Sequence, residues 1–126
     1  MAISAVRRFG IKALYSRAAD VITAEVSRDP KRRDELNSAD LLVLDEIGCE
    51  GTSDLARRAI STLIDRRYGD SLRTIFVSNL PARGAPSIWT HLGTANSERI
   101  RERCELIPCP WPSLRRPLPP QQGARK

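Results

Sequence analysis

Cysteine, histidine and aromatic residues are all scarce in this 126-residue chain. Three cysteines, Cys49, Cys104 and Cys109, do not make a disulfide framework. Residues 1–8 lack the basic-then-apolar order of a secretory leader, so reduced thiols and a cytoplasmic setting are expected. Zinc would need ligand pairs, and the spacing of Cys49, His91, Cys104 and Cys109 supplies none. The single histidine, His91, has no evident triad partner. Aromatic residues are 5% of the chain, which leaves no evident base-stacking platform for single strands. No apolar run approaches the roughly 18 residues of a membrane-spanning helix.

What is present is a globular composition, 40% hydrophobic and 29% charged, of one-domain length. The net charge of +6 is unevenly placed. Residues 1–38 carry eight Lys/Arg against five acids, residues 39–98 six against eight, and residues 99–126 seven against two. A basic end favours polyanions, although a solvated basic surface explains the charge equally well.

Apolar patterning predicts alternating strands and helices. Residues 11–15 read as a short strand and residues 18–26 as a helix. Residues 28–38 are charged and interrupted by Pro30, so they read as a surface connection. Leu41-Leu42-Val43-Leu44 is a continuous apolar run stopped by two acids, the pattern of a parallel strand buried on both faces. Residues 52–67 place Leu55, Ala56, Ala59, Ile60, Leu63 and Ile64 at helical spacing, with Thr52 or Ser53 as cap and Gly69 just past the end. Residues 74–78 are β-rich. Residues 81–86 read as a turn, 87–92 as a short helical turn, and 96–102 as a helix led by a capping residue. Residues 104–107 read as a last strand. The order implies an α/β fold with parallel pairing.

Asp45-Glu46 follows the most buried-looking strand, and ligands of open α/β sheets gather at the carboxyl ends of strands. The Asp can hold Mg²⁺ through water, and the Glu can polarise an attacking water beside a phosphate. The bland alternative is the solvated start of a loop. Asn79 ends the next strand, 34 residues beyond Asp45, far enough for one helical crossover. Its amide can donate to a phosphate oxygen and position water, or it can serve a turn before Leu80-Pro81.

These residues resemble a known family. Leu41-Leu42-Val43-Leu44-Asp45-Glu46-Ile47-Gly48 looks like the Walker B strand of AAA+ ATPases, in the form of the DnaC/IstB-type helicase loaders. Thr74 to Asn79 resembles their sensor I strand. Glu98-Arg99-Ile100-Arg101-Glu102-Arg103-Cys104 resembles the arginine-finger helix, with Arg103 at the finger position. Trp111-Pro112-Ser113-Leu114-Arg115 is similar to the late W-x-S-x-R element, which makes Arg115 a sensor II residue. The resemblance implies residues 1–115 as a partial AAA+ domain, and it implies ATP and Mg²⁺ as cofactors. Catalytic roles fall on Asp45, Glu46, Asn79 and Arg103, and nucleotide contacts on Asp45 and Arg115. Residues 116–126 form a Pro-rich basic segment expected to be extended and mobile.

The departure is the phosphate loop, G-x-x-x-x-G-K-[ST]. None of the glycines at 10, 48, 51, 69, 84, 93 and 123 precedes Lys followed by Ser or Thr. The family's order puts that loop just ahead of residues 1–9. The expectation is therefore an incomplete P-loop NTPase (AAA+) three-layer fold, with a mostly parallel sheet lacking its first strand. The implied family role is ATP-dependent loading of a replicative helicase on DNA, with this chain inactive alone. Implied partners are a replicative helicase or full-length loader subunits, single-stranded DNA among them, in an oligomer or complex and away from membranes. Two other readings remain open: a non-catalytic interaction protein that regulates a loader or helicase, and a small basic DNA-binding module.

Overall fold

A computed structural model describes residues 8–110. The expectations for Trp111 to Arg115, for residues 116–126 and for most of residues 1–9 lie outside the described residues. Three parallel strands, β1 (Ala13–Arg17), β2 (Leu41–Ile47) and β3 (Arg73–Ser78), lie side by side in that order. Helices α1 (Ala18–Val26) and α2 (Pro30–Ser38) join β1 to β2, and α3 (Asp54–Gly69) joins β2 to β3. Two more, α4 (Ile88–Leu92) and α5 (Thr94–Arg103), follow β3.

Crossovers between parallel strands are right-handed almost without exception. Two successive crossovers in one direction therefore lay their helices on one face of the sheet. Accordingly, buried residues of all five helices join one cluster with Leu42 and Leu44 of β2. Both leucines are fully buried, each worth about 2 kcal/mol in apolar transfer. The other sheet face carries Tyr15, Val43 and Ile75 in register. There Tyr15 is 57% and Val77 41% exposed. The described residues thus comprise the sheet and one helical layer.

Several local expectations need correction. Residues 30–38 are a helix rather than a surface connection. Pro30 occupies the first turn, where its missing N–H costs nothing, and the Asp29 carboxylate accepts the Arg32 N–H at 3.1 Å. Leu36 anchors this helix at 2% exposure. β2 does not stop at the acids but continues to Ile47. Of the two expected caps for α3, Ser53 is the one used, accepting the Ala56 N–H at 3.1 Å, whereas Gly69 is the last helical residue rather than the first beyond it. Leu55 points outward at 44% exposure. α5 starts at Thr94 after Gly93, and no side chain caps it. Asn96 is buried instead, donating to Ser61 Oγ and the Leu92 carbonyl. Residues 104–107 form no strand: Leu106 and Ile107 are 58% and 65% exposed, and Pro108 and Pro110 remove the donors a ladder needs.

Candidate functional site

The acid pair lies where the β2–β3 ladder is irregular. Register runs Leu44 to Phe76, then resumes at Ile47 to Ser78. Such a bulge bends a strand and re-aims its side chains. Glu46 takes a left-handed backbone, φ 57°, and its side chain is exposed, while Asp45 is half-buried. Asp45 is held at both oxygens. Oδ1 accepts the Glu46 N–H at 2.7 Å, and Oδ2 accepts the Tyr15 hydroxyl at 2.7 Å from β1. That hydrogen bond pushes the Tyr15 phenol above its ordinary range, helped by desolvation and by the two nearby carboxylates. Arg17 is in register with Asp45 but pairs with Asp20 at 3.2 Å, which raises its own pKa further.

The next strand ends alongside. The Ser78 hydroxyl donates to the Ile47 carbonyl at 2.6 Å and accepts the Leu80 N–H at 3.1 Å. Asn79 is the first residue past β3, exposed, and its side chain has no hydrogen-bond partner among the described residues. Adjacent strands are about 4.8 Å apart, so Asp45, Glu46 and Asn79 share one edge of the sheet. The loop after the acids turns tightly. The Cys49 N–H bonds the Glu46 carbonyl at 3.1 Å across Gly48, whose φ is 109°. Positive φ at the third position of such a turn favours glycine. A Cβ there would also lie 2.8 Å from Leu80 Cδ1.

Arg103 is not at this edge. Its guanidinium donates to the Tyr68 carbonyl at 3.3 Å and to Ser71 Oγ at 3.1 Å, and it stacks over the Tyr68 ring at 4.3 Å. These partners precede β3, so the length of that strand, roughly 20 Å at about 3.3 Å per residue, separates Arg103 from Asn79. No ion pair forms within the arginine helix among the described residues. Glu102 accepts the Tyr68 hydroxyl at 2.8 Å, while Arg99 pairs Asp65 at 3.1 Å. Arg115 lies outside the described residues.

Two arrangements escaped sequence reasoning. Arg67 is 2% exposed, with Nε donating to Thr74 Oγ1 and its terminal nitrogens to the carbonyls of Leu36, Ala39 and Arg73. Burial lowers its pKa, opposed by the Asp40 charge. The signal was legible, because Arg67 continues the stripe of Ile60, Leu63 and Ile64. The second is a buried Glu50–His91 contact between the β2–α3 loop and α4. No local spacing announces a pair 41 residues apart.

A broad groove of about 660 Å³ lies between α2 and the end of α3, lined by Arg33, Asp34, Arg66 and Asp70, away from the acid pair. Among the described residues no cluster of three His, Cys, Asp or Glu could hold a metal ion. A carboxylate offers about four lone-pair sites, so Asp45, with two engaged, keeps acceptor capacity for a metal-bound water.

The sequence matches no family model and no curated protein. The crystal structure of the DnaC helicase loader superimposes with a TM-score of 0.70 at 24% identity, covering 82% of this chain and 64% of that one. The chain has a DnaC-like AAA+ fold. DnaA from Aquifex aeolicus bound to AMPPCP matches with a TM-score of 0.52 at 22% identity, over 61% of this chain and 26% of that one. Replication initiator DnaA bound to AMPPCP and single-stranded DNA matches with a TM-score of 0.59 at 19% identity, over 76% and 31%. This chain thus spans just under two-thirds of the loader's length and about a quarter to a third of the DnaA chains. No helix among the described residues is long and apolar enough to cross a membrane.

Proposed function

We propose that this chain is part of a helicase-loader ATPase domain acting in the cytoplasm in DNA replication. The observation that carries the reading is the convergence of Asp45, Glu46 and Asn79 at adjacent carboxyl ends of a DnaC-like AAA+ sheet. Asp45 would hold Mg²⁺ through water, Glu46 would orient the attacking water, and Asn79 would donate to a phosphate oxygen. Bound Mg²⁺ would supply charge neutralisation at the phosphates. Arg115, by its resemblance to sensor II, would contact the nucleotide.

The 126 residues contain no phosphate loop, hence neither its cradle of N–H groups nor its Lys. Without that grip nothing holds a triphosphate in line with Glu46. The chain alone therefore neither binds ATP tightly nor turns it over. Isothermal titration should show no Mg²⁺-dependent micromolar binding; a micromolar constant would refute the reading.

A second reading is favoured by the position of Arg103. Its remoteness from Asp45 suits an arginine that acts on nucleotide held by a neighbouring subunit. The chain would then be an interaction protein, docked on a full-length loader or on a helicase, single-stranded DNA included in the complex. Added to a full-length loader ATPase, it should change the rate, and Arg103→Ala should remove at least about tenfold of that change, given the scale of arginine-finger effects. An unaltered rate in both mixtures would sink this reading.

A further inference from the structure

The loop that follows the acid pair is attached to a distant part of the chain by a buried ionisable pair. The Glu50 side chain is 3% exposed and that of His91 13%. A carboxylate this deeply buried is costly unless its oxygens are satisfied. Here Oε2 accepts the Gly48 N–H at 2.7 Å, and Oε1 meets His91 Nε2. With Glu50 as a carboxylate, which only accepts, His91 is the donor in this contact through Nε2–H. Arg57 is the other charged group lining the small cavity beside the pair, about 190 Å³. That space is too small for a nucleotide, since drug-sized ligand pockets start at about 300 Å³.

Both ends of the contact are tied down by further contacts. On the loop side, Gly48 takes the positive φ of the turn, and the space a Cβ would need there is filled by Leu80, which follows Asn79. On the helix side, a reciprocal Ser87–Thr90 capping box opens α4. Ser97 Oγ shares its single proton between the Gly93 carbonyl at 2.6 Å and the Trp89 carbonyl at 3.1 Å, the latter linking α5 to α4. Asn96 then ties α5 to Ser61 of α3. The chain of contacts runs from Glu46 through Gly48, Glu50 and His91 to the helix that carries Arg103.

We propose that Glu50–His91 is a latch joining the loop after the acid pair to the α4–α5 unit, so that the two move as one body. Glu50 and His91 are positioning residues, acting through the Gly48 backbone rather than on any ligand. The latch stands whether or not the acid pair serves a nucleotide. A displacement of the arginine-bearing helix would be delivered to the backbone beside Asp45 and Glu46 through this contact.

Amide hydrogen exchange by NMR tests it on the intact chain. In the unmodified protein the Gly48 amide should be protected to the same degree as the Gly93 amide, which closes α4 by bonding the Trp89 carbonyl. In His91→Ala the Gly48 amide should exchange about tenfold faster, the scale of one hydrogen bond to a charged group, while Leu63 in α3 keeps its rate. His91→Gln, which retains a donor near Nε2, should recover most of that protection. A nitroxide on Cys49, with Cys104 and Cys109 changed to Ser, should sharpen in His91→Ala and broaden again in His91→Gln. The proposal is overturned by a Gly48 amide that exchanges in the unmodified protein as fast as exposed loop residues. It is equally overturned by an unchanged Gly48 rate in His91→Ala, or by no recovery in His91→Gln. Should His91→Ala fail to fold, the unmodified protein and His91→Gln decide alone.

Discussion

At the scale of single residues, the structure is organised by polar side chains that reach across elements. Arg67 is the clearest case. It satisfies three backbone carbonyls and a hydroxyl where α2, β2 and β3 begin or end. Arg67→Met keeps the volume but leaves those acceptors unpaired in a dry interior, so about 3 kcal/mol of stability should be lost in urea unfolding. An unchanged midpoint would show that the carbonyls find water instead. The two tyrosines report on the acid pair and the arginine helix respectively. Hydrogen bonds to Asp45 and to Glu102 favour the neutral phenol of Tyr15 and Tyr68 in the folded state, raising both pKa values. The sign follows from linkage. Stabilisation is fully present below the unfolded phenol value of about 10 and is lost as pH rises through the raised folded values. Absorbance at 295 nm should give both tyrosines midpoints above about 10. Asp45→Asn and Glu102→Gln should each lower the midpoint of half the signal. A single midpoint at the ordinary value, unmoved by either variant, would remove the contacts.

At the scale of elements, β1 and β3 both lie at sheet edges among the described residues, and β3 is the one whose sequence does not suit an edge. Its Ile75-Phe76-Val77 is a continuous apolar run suited to an internal strand. No proline or lysine blunts it, and natural edges usually carry such protection. Concentration-dependent association is the expected consequence. Val77→Lys, at a position already 41% exposed, should suppress it in sedimentation velocity with a stability change within about 0.5 kcal/mol. A parent chain that sediments as one monomer at every concentration would contradict this account of the edge. A strand-like pattern can also mislead. Residues 104–107 have strand-like composition, but composition alone supplies no neighbour to pair with, and Pro108 and Pro110, which follow, lack the donors that would extend a ladder. Pro30 misleads in the opposite sense: it was legible as a breaker, yet at a helix start, behind an Asp29 cap, it is a good first-turn residue.

Over the whole molecule, local patterning was enough to read the strand–helix–strand core of residues 41–78, the buried β2 run, and an acid pair and an amide close to the carboxyl ends of two strands. These follow from local periodicity and from the rule that parallel sheets offer their carboxyl ends. Folding in three dimensions was needed to bring Tyr15 to Asp45, Arg67 into the interior and Glu50 to His91. It also set Arg103 at the far end of β3 from Asn79. The physical reason is range. Periodicity records which face of an element is dry, whereas a hydrogen bond between residues 30 or 41 positions apart exists only once strand register and helix docking are settled.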